Sequence, residues 1–165
     1  MSLTKRELLP YAHRPGVTPH PQKEGGYWFG VPEPEVEALS FENYSEHIDY
    51  LYGFDLFNAG YFWESHVYWE AIWHENGRKG EIADFLKALI IFSAGCLKLE
   101  VNQVPPARTH FERAEELISN ILKLRKSEDC SYFGFELEKL LCLVLKAKDW
   151  TQLPEFELSP VLSAA

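Results

Sequence analysis

The sequence predicts an all-α fold: a compact bundle of antiparallel helical hairpins, about five helices, with an extended Pro-rich N-terminal arm packed on it. Three observations predict it. Apolar residues recur at helical spacing from about residue 43 to residue 148, the connections between periodic stretches are short, and no convincing strand pair occurs anywhere. A chain of 165 residues, 46% hydrophobic and 25% charged, has the length and composition of one globular domain with a real core. Its organisation reads as an arm over 1–42, a helical-hairpin domain over 43–150 and a C-terminal tail over 151–165.

The arm, with "LLPYAHRPGVTPHPQKEGGYWFGVPEPEVEALS", carries most of the prolines and no sustained period. Proline fixes φ and removes a donor, so this stretch is neither a helix nor an inner strand. It also holds Tyr11, Tyr27, Trp28 and Phe29, too many aromatics for a solvated linker, so residues 10–32 are expected to cover part of the helical body. "NYSE" (43–46) has capping-box spacing, Asn43 to Glu46, ahead of "HIDYLYGFDLF", and Gly60 is placed to stop that first helix. A second helix runs from Tyr61 to about Glu75 and ends at "ENGRKG". The third, about 82–101, is apolar almost all round and hence central, with Ser93, Ala94 and Gly95 small enough for a neighbour to approach closely. The fourth, about 106–126, is amphipathic, with Pro106 suited to its first position. "SEDCSY" (127–132) breaks it, and a fifth follows over about 133–148, its apolar positions including Leu140, Val144 and Leu145. The order of two hairpins, with "FNAGYFWES" at the first turn, is tetratricopeptide-like without a strict period.

Charge narrows the function classes. A net charge of −9 with no clustered Lys or Arg argues against nucleic acid and against an anionic membrane surface. The N-terminus has two basic residues in "MSLTKRELLPYAHRPG" but no apolar core behind them, so no signal segment is expected. The longest apolar run, "ALIIFSAGCL", is about half of the roughly 20 residues a membrane span needs. Cys96, Cys130 and Cys142 are odd in number and lack CxxC spacing; a reducing cytoplasm is the expected compartment, and Cys96 and Cys142 read as small hydrophobes within helices.

One stretch carries chemistry. "NAGYFWESHVYWEAIWHENG" (58–77) sets Glu64, His66 and Glu70 among Trp63, Trp69 and Trp73. At about 100° per residue, with Phe62 at zero, His66 falls near 40° and Glu70 near 80°, i,i+4 neighbours on the aromatic side; Glu64, near 200°, falls opposite. Three readings follow for the pair. It is a satisfied polar couple in the core; or two ligands of a metal, with His20, His47, Asp55 or His110 as a third; or the wall of an aromatic pocket that binds or protonates a small ligand. His20, held between prolines in "TPHP", is a candidate to present a ligand, and Asn58 and Asp55 are candidates to approach from the preceding turn. His74 and Glu75 are expected in solvent.

The stretch "FNAGYFWESHVYWEAIW" resembles the signature of the family catalogued as domain of unknown function 309: Asn58, Gly60, Glu64, His66, Glu70 and Trp73 match its Asn-x-Gly turn, its Glu-x-His and its later Glu and Trp. "DFLKALIIFSAGCLKLE" and "PPARTHFERAEEL" extend the likeness, and "LLPYAHRPGVTPHP" resembles the arm of longer members. The resemblance implies a compact all-α bundle of hairpins and no defined activity. Val67, Ile91 and Lys98 stand where many members carry Glu, Gln and His, which removes candidate metal ligands and leaves His66 and Glu70 untouched.

The expected function is therefore binding of a small ligand or a protein partner through an aromatic pocket around His66 and Glu70. Its residues are Asn58, Trp63, Glu64, His66, Trp69, Glu70, Trp73 and His20. The alternatives are an enzyme, metal-dependent or not, with His66 as acid, base or ligand, and a structural His–Glu pair. Ser65, near 300°, points away from His66, so a Ser–His couple is not expected. No cofactor is assigned, and a homodimer is compatible with aromatics exposed on the arm.

Overall fold

The computed structural model describes residues 1–125 and 131–162. Five helices follow in order among them, α1 (Ile48–Asn58), α2 (Phe62–Glu75), α3 (Glu81–Glu100), α4 (Val104–Leu124) and α5 (Leu137–Ala147), and no strand is present among the described residues. The turn expected at 127–132, with Cys130, falls largely outside them.

Gly60, at φ +84°, ends α1 as expected, its N–H donating to the Phe57 carbonyl. The start of α1 differs from expectation. Asn43 makes its hydrogen bonds outside the helix, accepting from Ser40 N–H and donating to the Ala38 carbonyl. The cap is instead His47, whose Nδ1 accepts from Tyr50 N–H while Nε2 lies 2.9 Å from the Glu37 carbonyl oxygen. α4 begins two residues before Pro106, which therefore sits in the third helical position rather than the first. α5 starts later than expected, because Tyr132 and Phe135 pair across a turn in which Phe133 and Gly134 have positive φ. On α5, Leu145 and Cys142 are exposed rather than packed.

α3 is central, packed against both α2 and α4. Its small residues act as expected: a Cβ on Gly95 would stand 2.5 Å from the Phe111 ring of α4, and Ser93 shares a buried hydroxyl contact of 2.8 Å with Ser65 of α2. The α1–α2 crossing depends on Gly53, where any Cβ would collide with the Trp69 indole, whose N–H reaches the Tyr50 carbonyl.

Residues 1–46 form neither helix nor strand, and they are tied to the bundle along their length. Asp55 accepts four hydrogen bonds from Ser2, Leu3 and Thr4. Arg6 pairs with Asp49 at 2.8 Å, and the hydroxyls of Tyr52 and Tyr61 donate to the carbonyls of Glu7 and Leu9. Further on, the backbone of Leu39 exchanges two hydrogen bonds with the Asn76 side chain. Among the described residues, no helix is long and apolar enough to cross a membrane.

Candidate functional site

α2 carries the site, and its orientation decides which side chains face what. Phe62, Ser65, Trp69 and Ile72 are buried against α1 and α3. The buried arc is thus rotated toward Ser65 and Ile72 from the arc drawn through the tryptophans. That rotation moves His66 and Glu70 out of the core to its margin, their side chains 24% and 44% exposed. Glu64, expected on the open side, is fully buried, because the arm crosses that face. The N–H of His13 and the hydroxyl of Tyr27 both donate to Glu64 Oε1, at 2.6 and 2.7 Å, while Oε2 has no partner. Burial raises the Glu64 pKa above the ordinary value, and the two arm donors offset this only in part. Glu64 is the third residue of α2, where free N–H groups of the first turn favour a carboxylate.

Around Trp63 the arm builds an aromatic cover. The rings of His13, His20 and Trp28 lie 5.3, 5.1 and 5.9 Å from the indole, with His66 at 5.6 Å. His13 is buried, and burial together with the neighbouring His20 lowers its pKa.

Along the seam between arm and α2 runs a groove of about 160 Å³ lined by Gln22, Glu33, Pro34, Trp63, His66, Val67, Glu70, Ala71 and His74. A second hollow of about 140 Å³, lined by Trp28, Val31, Pro32 and Tyr68, shares Gln22, Glu33, Pro34 and Val67 with it. His66 Nδ1 sits 2.5 Å from the Trp63 carbonyl oxygen, which only accepts, so Nδ1 carries a proton and Nε2 is turned to Glu70 Oε2 at 3.5 Å. His74 is set the other way: its Nδ1 accepts from Arg78 Nε–H, and its Nε2 lies 3.9 Å from Glu70 Oε1. The hydrogen bond from His66, with the charges of His66, His74 and Arg78, lowers the Glu70 pKa against the opposing effect of burial.

Of the residues expected at the site, Trp63, His66 and Glu70 line this groove, and His20 packs on its Trp63. The others lie elsewhere. Trp69 is sealed in the core, Glu64 is held beneath the arm, and Trp73 meets Arg78 and Lys87 outside the groove lining. Asn58 binds the C-terminal segment, exchanging hydrogen bonds with Leu158 N–H and C=O. Asp55 and His47 serve the arm and the α1 cap. His74 is exposed, as expected, and also borders the groove through its i,i+4 relation to Glu70. Gln22, Glu33 and Pro34 went unseen because nothing in a non-periodic arm shows which residues will meet which helix. The core-pair reading does not fit a couple exposed to this extent. No three His, Cys, Asp or Glu among the described residues are grouped to hold a metal ion. A larger hollow of about 450 Å³ lies between α5 and the C-terminal segment, lined by Leu140, Leu143, Leu158 and Val161 among others, without a histidine or an indole.

The match that bears on this arrangement covers the helices that carry it. Residues 50–109 match the family described as Domain of unknown function (DUF309). The DUF309 stretch runs from within α1 through α2 and α3 into α4, so it holds Trp63, His66 and Glu70. The arm that supplies Gln22, Glu33 and Pro34 precedes it. No curated protein matches the chain.

Proposed function

We propose that the protein binds a small ligand in the groove between the arm and α2, with His66 and Glu70 as its polar contacts and Trp63 as its apolar wall. One observation carries the reading: a histidine and a glutamate on the DUF309 helix stand at the edge of the core, in a hollow whose other wall is a separate segment of chain. Binding sites combine an apolar lining with a few convergent polar groups, and this groove has that make-up. His66 is oriented for the task, since its bond to the Trp63 carbonyl fixes the ring with Nε2 toward Glu70 and the groove.

A second reading has a specific observation behind it. The pinned tautomer of His66 beside Glu70 is also the arrangement of an oriented acid–base pair, so an enzyme acting on the bound ligand is the alternative. A cytoplasmic setting is supported by Cys96 and Cys142, both free thiols.

The test is a fragment titration followed by the indole N–H resonances in ¹⁵N spectra. The expected result is a saturable shift at Trp63 with Trp69 unmoved, and weaker binding in Glu70→Gln. A Trp63 resonance that no fragment class shifts contradicts the proposal.

A further inference from the structure

Two carboxylates meet in the groove. Glu70 lies on α2, with His66 Nε2 3.5 Å from its Oε2 and His74 Nε2 3.9 Å from its Oε1. Glu33 comes from the arm, and no Lys or Arg is among the lining residues.

Size and surroundings say more. At ~30 Å³ per water-sized group, about 160 Å³ holds a head of about five such groups. The adjoining hollow of about 140 Å³ shares Val67 and Pro34 with the groove, and Trp28, Val31, Pro32 and Tyr68 give it an aromatic and apolar side beside Gln22 and Glu33. A donor-only head joined to an apolar stem is an alkylammonium. Its N–H groups match the carboxylates of Glu70 and Glu33, and its methylenes match the apolar residues of the adjoining hollow. The indole of Trp63 adds the attraction of an aromatic ring for a cation. A net charge of −9 draws such a ligand in.

We infer that the ligand of this groove is a primary alkylammonium, with its head among His66, Glu70 and Glu33 and its stem toward Trp28 and Tyr68. The inference rests on the groove being a ligand site. Two sources share this chemistry, a free small amine and the side chain of a lysine.

The experiment is calorimetric titration at neutral pH, chelator present throughout, with pentylamine, 1-pentanol, pentanoate and Nα-acetyl-lysinamide, each repeated with the Trp63 resonance as readout. Pentylamine, with a lysine-like pKa, is charged under these conditions. The expected result is saturable binding of the ammonium and none of pentanoate, with pentanol weaker by about tenfold or more, the equivalent of one charge-assisted hydrogen bond. Glu70→Gln and Glu33→Gln, each isosteric and at an accessible position, are expected to weaken the ammonium by a similar factor while both variants remain folded by their thermal melts. Acetyl-lysinamide binding as well as pentylamine assigns the site to a lysine side chain; pentylamine alone binding assigns it to a free amine. Pentanol or pentanoate shifting Trp63 as strongly as the amine overturns the ammonium assignment and leaves the groove standing. A Trp63 resonance unmoved by all four, and by the wider fragment set, overturns both.

Discussion

Glu64 shows how one residue can join two parts of a chain. It lies in the first turn of α2, it is fully buried, and one of its oxygens receives both the His13 N–H and the Tyr27 hydroxyl. Glu64→Ala would strand those two donors at a cost of about 1–3 kcal/mol each, reduced wherever water reaches them. The pH dependence follows from the raised pKa. An acid whose folded pKa exceeds its unfolded value contributes stability at low pH and loses it as pH rises through the folded pKa. The window therefore opens at the ordinary value of 4.5 and extends upward from it. Glu64→Gln removes that contribution, so the stability of the wild type relative to this variant should shrink as pH rises from about 4.5 to neutrality. Denaturant melts of the two proteins across this range check it; a difference that grows with pH would contradict the assignment. Asp55, whose pKa burial would raise, is instead held low by its hydrogen bonds to Ser2, Leu3 and Thr4, and has the opposite sign. The variant comparison at Glu64 separates the two.

At the scale of elements, the helices were legible and the arm was only partly so. The 3.6-residue period located all five helices, since burying an apolar stripe is what makes each of them stable. Helix ends were harder to read. Asn43 has the side chain of a cap but bonds to Ser40 and Ala38, whereas His47, not a usual cap residue, does the capping. The α2 wheel went astray for a related reason. Three indoles suggested one apolar face, yet only Trp69 entered the core. Trp63 was taken up by the arm, and Glu64 was covered by it. Neither could be read from α2 alone, because covering partners from a distant, non-periodic segment leave no mark on a helix's own pattern. The arm's role at this scale is open to test. Removal of residues 1–32 should lower the melting temperature, since it deletes the donors to Asp55 and Glu64, the Arg6–Asp49 pair and the cover over Trp63. The fluorescence of the shortened protein should shift to the red as that indole meets water. An unchanged melt and spectrum would mean that the arm adds nothing to the fold.

For the molecule as a whole, the aromatic richness has two uses. Much of it is core: Tyr50, Phe54, Phe85, Phe92, Phe111 and Trp69 are among the largest fully buried side chains. Another group lies at the seam, where the rings of His13, His20, Trp28 and His66 pack around Trp63 and Tyr68 packs on Trp28. Residues of the stretch that matches DUF309 form one side of the groove there and the preceding arm the other. The excess of acidic groups acts over the same scale, and its attraction for a cation falls with added salt. Place and charge together define the proposed ligand seat. The measurement that tests it most directly is a set of intermolecular nuclear Overhauser contacts from the methylenes of bound pentylammonium. These contacts are expected at Trp63, Val67 and Tyr68. Contacts instead at Leu140 and Leu143, beside the larger hollow of α5, would contradict it.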